Sequence, residues 1–259
     1  MKTLSYIEAI VLPFTLFACN SPVNNTQENE SSTLSFINKS FKSELTPDCD
    51  SCTKATINIP IARGDTIAAK NINDYVFIVA QKALGEEGKS YTGYDSLVAG
   101  FVDAYKKMKT KFPDGPAISW DGKLNGSVVK QTDRLVNIKL EAFTFTGGAH
   151  PNSNTYSLLF NAETGKKLAQ GDVIKDIPAL TALAEKKFRE QLKIPAGTPV
   201  NSTIYTFDDN KFVLPKNIFF TDSGLQLYYN AYEIAPYYVG ATIITLPYPD
   251  AEQYLAMKP

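Results

Sequence analysis

The chain holds one histidine, His150, inside the stretch Phe143-Thr144-Phe145-Thr146-Gly147-Gly148-Ala149-His150-Pro151-Asn152. Imidazole is the side chain whose ordinary titration falls nearest neutral pH, so a general base is sought here first. The acid that could poise it is Glu233, in Tyr232-Glu233-Ile234-Ala235-Pro236-Tyr237-Tyr238. A His–Glu pair suits base catalysis only if the fold brings positions 150 and 233 together. No nucleophile completes the set, because no Gly-x-Ser-x-Gly elbow occurs. The plain alternative is a histidine that hydrogen-bonds within its turn. Gly147 and Gly148 permit the positive φ of a tight reversal. Their amides could also hold an anion, but phosphate-loop spacing is absent. No metal and no cofactor is expected.

Other groupings are weaker. Glycoside hydrolysis needs two carboxyls about 5 to 10 Å apart. Asp208-Asp209, Asp222 and Glu233 are the available acids, yet Asp208-Asp209-Asn210 and Asp222-Ser223-Gly224 read as turns. The tyrosines 228, 229, 232, 237 and 238 offer rigid contact area with a polar tip, useful on glycan or protein surfaces. Alternatively they fill the core. With 26 basic and 27 acidic residues, the chain has no concentrated positive surface of the kind nucleic acid requires.

The N-terminus reads as a targeting segment. Lys2 precedes a short apolar run that ends Leu16-Phe17-Ala18-Cys19, which resembles a bacterial lipobox. The expectation is a signal peptide over 1–18, cleavage before Cys19, lipidation of its thiol and a flexible tether over 19–44. Residues 20–32 contain almost nothing apolar. A plain signal peptide with a stray cysteine is the alternative. The lipid anchor would hold the mature domain at an envelope membrane, outside the cytoplasm.

Cys49 and Cys52 are read in that compartment. A zinc site needs four ligands, which one histidine and two nearby cysteines do not supply. A thioredoxin-like pair should open a helix, but Pro47 precedes it and the strand-like run 55–60 follows. A local disulfide pinning the first strand is expected.

The elements that must position these residues follow from periodicity. Helices are expected over 71–84, with Asn71, Asn73 or Asp74 as N-cap, over 95–109, and over 176–192 behind a capping Asp176. From 118 the period drops to two. Residues 120–130, a long strand through Val136, Ile138 and Leu140 to Phe145, and 155–160 form a meander over 118–168. Asn125-Gly126 is a competing hairpin signal, taken instead as a bulge or bend in the partner strand. Asn137, Lys139 and Glu141 share the wet face of the long strand. Further strands are expected at 217–220, 225–230 and 241–246, with 203–207 a short strand or helix. The fold class is α+β: a largely antiparallel sheet, helices packed on one face, and a single mixed domain over 45–259. Its two halves, about 45–168 and 169–248, are expected to share one core.

Taken in order, Thr146-Gly147-Gly148-Ala149-His150, Phe160-Asn161, Thr164-Gly165-Lys166, a Leu-rich helix, the Gly224-Leu225 strand, Tyr232-Glu233-Ile234-Ala235-Pro236-Tyr237, Gly240 and Leu246-Pro247-Tyr248 resemble a family of extracytoplasmic domains of unknown function. The family occurs in the lysozyme-responsive anti-sigma factor RsiV, in the N-terminal region of the deacetylase PdaC, and in many Bacteroidetes-type lipoproteins. The resemblance covers about residues 45–248. It implies an α+β fold, work at the cell envelope, and a lysozyme-like protein or peptidoglycan as partner. It implies no catalytic mechanism, because in the deacetylase-type proteins the chemistry belongs to a separate domain. The residues expected to bind are Thr146, Gly147, Gly148, His150, Tyr232, Glu233, Tyr237 and Tyr238. The enzymatic alternative is a hydrolase or esterase of envelope glycans using His150 and Glu233.

Overall fold

A computed structural model describes residues 34–64, 67–115 and 118–257. The signal-peptide and Cys19 expectations lie outside the described residues. Residues 35–44, expected to lie in the tether, are part of the fold instead. Residues Ser35–Glu44 form strand β1, antiparallel to β2 (Lys54–Arg63). The reason lies in Leu34, Phe36 and Phe41, which pack on the core as no tether residue would.

Two helices follow, α1 (Ile67–Leu84) and α2 (Tyr94–Lys111), before β3 (Asp121–Gln131), β4 (Leu135–Phe145) and β5 (Asn152–Asn161). These strands make one sheet in the order β1-β2-β3-β4-β5. Only the β2–β3 pairing is parallel, as a connection through two helices allows. A second sheet of β6 (Asn217–Thr221), β7 (Gly224–Tyr229) and β8 (Thr242–Leu246) is wholly antiparallel. Between the sheets in sequence lie the one-turn α3 (Gln170–Val173) and α4 (Ile177–Leu192). Asp176 caps α4 as its sequence predicts, accepting from Ala179 N at 3.0 Å. After β8 comes the short α5 (Tyr248–Ala251). Residues 203–207 form neither strand nor helix.

The core is two clusters, one on each face of the five-stranded sheet, and the division does not follow the two halves of the chain. Val76, Leu97 and Phe101 of the first two helices pack with Ile57, Leu124, Ile138 and Leu140 on one face of the five-stranded sheet. On its other face Leu135 and Leu159 join the second cluster, with Phe188 of α4 and Phe220, Leu227 and Leu246 of the small sheet. Each large side chain so buried contributes about 1.5–3 kcal/mol. The alternation along β4 is thus correct in period, but its odd face is wet only in part. Asn137 is 0% exposed. Its Oδ1 accepts from Phe220 N at 2.9 Å, and its Nδ2 donates to Ser157 Oγ at 3.0 Å and Leu158 O at 3.3 Å. It ties the two sheets together. An amide in a hydrophobic sandwich is tolerable because every one of these bonds is made.

Other asparagines act as substitute strands. Asn230 gives Thr155 both halves of a ladder pairing, accepting from its N at 2.7 Å and donating to its O at 3.0 Å. Asn217 accepts from Ser157 N at 2.9 Å. These bonds close the outer edge of β5, which would otherwise present unpaired amides. Asn73 does the same for Ala62 on β2, at 2.8 and 2.9 Å. Asn73 is therefore no helix cap: α1 begins at Ile67, and its interior asparagines serve tertiary bonds. Gly126 is no bulge either. It pairs regularly with Leu140, and the register shift falls between Val128 and Lys130. Glycine is needed because a Cβ would stand 2.8 Å from Pro60 Cδ.

Candidate functional site

The β4–β5 turn is built as its sequence predicts. Gly147 and Gly148 have φ of 97° and 103°, where a side chain is strained. They set down His150 at the surface. Its Nδ1 lies 3.2 Å from Pro151 O, and its Nε2 lies 3.0 Å from Tyr232 Oη. A carbonyl only accepts, so Nδ1 carries the proton. The imidazole Nε2 pairs with the tyrosine hydroxyl, which can either donate or accept.

The distant loop does come to meet the turn, through its tyrosines. Tyr237 stacks on the imidazole, centroids 4.2 Å apart and planes 17° from parallel. Tyr232 flanks Tyr237 at 5.4 Å. Glu233 takes no part. Its Oε2 accepts from Asn230 N at 2.8 Å, and its own N donates back to Asn230 O at 3.1 Å, closing a local turn. His150 and Glu233 form no hydrogen bond or ion pair. Thr146 also stands apart, on a smaller recess beside Trp120 and Phe101.

Between the loop and the ends of β3, β4 and β5 runs a groove of ≈ 690 Å³. Tyr237 and Tyr238 form one wall, with Lys123, Asn125, Glu141, Phe143, Asn154 and Asn230 opposite and below. Lys123 Nζ sits 5.2 Å over the Phe143 ring. Asn125 Oδ1 accepts from Asn58 at 3.0 Å, and Glu141 accepts from Lys139 at 3.0 Å. The floor is thus polar and partly pre-bonded, while the wall is aromatic. Tyr238 is 77% exposed and Tyr232 62%. Tyr229, grouped with them in the sequence, is core: it is 1% exposed and donates to Val213 O at 2.6 Å.

The floor residues are those the sequence reading missed. Their signal was the alternation of Lys139 and Glu141 on the solvent side of β4, which gives a face but no partner. Asp208, Asp209 and Asp222 do not line the groove. Asp208–Asn210 is a single 3-10 turn, and Asp222 pairs with Lys130 at 3.3 Å in the β6–β7 turn. Among the described residues no group of three His, Cys, Asp or Glu side chains is placed to hold a metal ion. Cys49 and Cys52 are joined as a disulfide in the β1–β2 turn.

Fold and site define an α+β protein of two stacked sheets with an aromatic-walled groove at one end. Residues 48–153 match the family described as "Deacetylase PdaC", and residues 168–249 match "Protein of unknown function (DUF3298)". The chain thus joins a PdaC-like segment to a DUF3298 segment. A solved DUF3298 family member from Bacteroides fragilis is similar in fold. Its TM-score is 0.62 at 19% identity, covering 88% of this chain and 96% of that one. A second, from Pseudomonas aeruginosa, has a TM-score of 0.55 at 22% identity, covering 87% and 95%. No curated protein matches in sequence.

Proposed function

We propose that this is an exported lipoprotein of the cell envelope whose groove binds a peptidoglycan glycan without chemically altering it. The observation that carries this reading is the aromatic wall of Tyr237, backed by His150, with Tyr238 beside it, facing a floor of amide side chains. Pyranose rings present apolar faces that lie on aromatic rings, and their hydroxyl and acetamido groups match asparagine donors and acceptors. The lipobox-like Leu16-Phe17-Ala18-Cys19 supports an envelope location. Calorimetric titration of the full chain with muropeptides tests the proposal. Saturable binding that weakens in Tyr237→Ala is expected, and no heat at high micromolar ligand would overturn it.

A lysozyme-like protein is the second reading. It is favoured by the exposure of Tyr232 and Tyr238 on the rim, where large aromatics serve as contact anchors. The same titration with lysozyme tests it. The hydrolase alternative has less support, because Glu233 is committed to Asn230 and His150 to Tyr232. The deacetylase named by the matched family calls for no step here, since the groove offers one carboxylate, Glu141, and no histidine within its lining.

A further inference from the structure

A second recess lies on the outer edge of β5, between α1 and the segment leading into β6, with a volume of ≈ 460 Å³. Three lysines from three separate elements line it: Lys82 of α1, Lys167 after β5 and Lys216 before β6. No acidic side chain lines it, and none of the three lysines is ion-paired among the described residues. Nine of the other eighteen described lysines stand within reach of an acid, as Lys70 does of Asp74 and Lys106 of Asp103. Lys167 Nζ is held 5.1 Å from the Tyr75 ring centroid, so one ammonium has a fixed place above an aromatic face. Tyr75 and Tyr156 also line the recess, and neither hydroxyl has a hydrogen-bond partner among the described residues. Burial pushes the Tyr156 phenol up from its ordinary range, so it remains an O–H donor at neutral pH.

The charge lining the recess is therefore all positive, beside two unspent phenol donors, in a protein whose net charge is −1. Its neutral polar side chains, Ser157, Gln170 and Asn217, are already bonded to their neighbours. Ammonium groups that line one recess repel one another, and an anion bound among them offsets that cost. Aromatic faces beside the cations suit a ligand that carries a ring next to its charge. We propose that this recess is a binding site for an anionic group, carboxylate or phosphate, borne on a small saccharide-sized ligand. It is distinct from the tyrosine-walled groove and does not depend on what that groove binds.

The test is titration of the full chain with trigalacturonic acid, inorganic phosphate and, as neutral control, triacetylchitotriose. Chemical shifts are followed by NMR. Saturable binding of trigalacturonic acid or phosphate is expected, with shifts centred on Tyr75, Tyr156 and the three lysines. Which of the two saturates tells a carboxylate from a phosphate ligand. The Lys82→Gln, Lys167→Gln, Lys216→Gln triple variant should weaken it by about tenfold or more. Raising salt to about 0.5 M should do the same in the unaltered chain. Circular dichroism confirms that the triple variant is folded, and single Lys→Gln variants replace it if it is not. Tyr237→Ala should leave anion binding intact, which separates this site from the glycan groove. Absence of saturation with both anions, or unchanged affinity in folded Lys→Gln variants, overturns the proposal.

Discussion

The imidazole of His150 lies face to face with the ring of Tyr237, 4.2 Å between centroids. The contact joins a strand reversal in the first half of the chain to a loop of the second half. Stacked aromatic pairs contribute about 0.5–1.5 kcal/mol beyond their buried area, and an exposed pair falls at the low end. Urea denaturation of His150→Ala, Tyr237→Ala and the double variant should show a coupling of that size. Strict additivity of the single effects would mean that the stack does not hold the loop.

The fold was legible in the sequence wherever periodicity spoke. The helices over Tyr94–Lys111 and Ile177–Leu192 and the strands of the meander appear at their expected places, because apolar spacing directly encodes which face is buried. The strands of the second sheet were legible too, at 217–220, 225–230 and 241–246, but not that they form a separate sheet stacked over β4 and β5. The sign would have been that Asn137, on the polar face, is buried, and nothing local distinguishes a buried asparagine from a wet one. The candidate site was half legible. Gly147-Gly148 marks the turn, and the run of tyrosines marks the loop. That Tyr237 rather than Glu233 meets His150 depends on the positive φ of Tyr232, 69°, and on the bond from Asn230 N to Glu233, which turns the carboxylate away.

Asn137 should prove the most sensitive polar residue of the fold. Asn137→Ala strands Phe220 N in a buried interface and removes the donor to Ser157 Oγ. Leaving such a group unsatisfied costs about 1–3 kcal/mol, with a further loss from the cavity. Denaturant midpoints should fall accordingly. Asn137→Asp should be worse than Ala, because it also buries a charge, and a neutral outcome would mean the sheets are held by apolar contact alone.

Gly165 sits in the β5 turn with φ 64°, its N donating to Asn161 O at 2.8 Å. A Cβ there would lie 2.7 Å from Ala68 Cα and closer still to the Ala68 carbonyl, so the backbone of α1 would have to move. Gly165→Ala should destabilise by about 2 kcal/mol or more. Gly148→Ala, also at positive φ but with open space around it, should cost only about 1 kcal/mol. Thermal melts of the two variants check the order, and equal losses would show that φ strain, not the clash, decides.

Alkaline pH should unfold the protein through its tyrosines. Burial pushes the Tyr248 phenol from 10.0 up to about 12, with Asp222 adding to it. Burial pushes Tyr229 and Tyr94 upward as well, the charge of Glu233 contributing at Tyr229. Above pH 10 the unfolded chain releases phenolic protons that the folded chain keeps, so it binds fewer protons. Stability is therefore full below pH 10 and falls as pH rises, the Tyr248 part disappearing between 10 and about 12. Urea midpoints across that window should decline, and Tyr248→Phe should flatten the decline. Its lost bond to Thr221 O at 2.8 Å would lower the neutral-pH value slightly. Identical slopes would remove Tyr248 from the account.

Tyr238 separates recognition from folding. At 77% exposure it packs little, and its neighbour Tyr237 carries the contact with His150. Tyr238→Ala should leave thermal stability within about 0.5 kcal/mol, as for most surface substitutions. If the groove binds a glycan, the same change removes a stacking face at its rim and should weaken muropeptide binding about tenfold, equivalent to 1.4 kcal/mol. Glu141→Gln, on the groove floor, should leave binding of a neutral saccharide nearly unchanged. The two variants measured side by side distinguish stacking from charge as the source of affinity. An unchanged affinity in Tyr238→Ala would move the contact surface away from this wall.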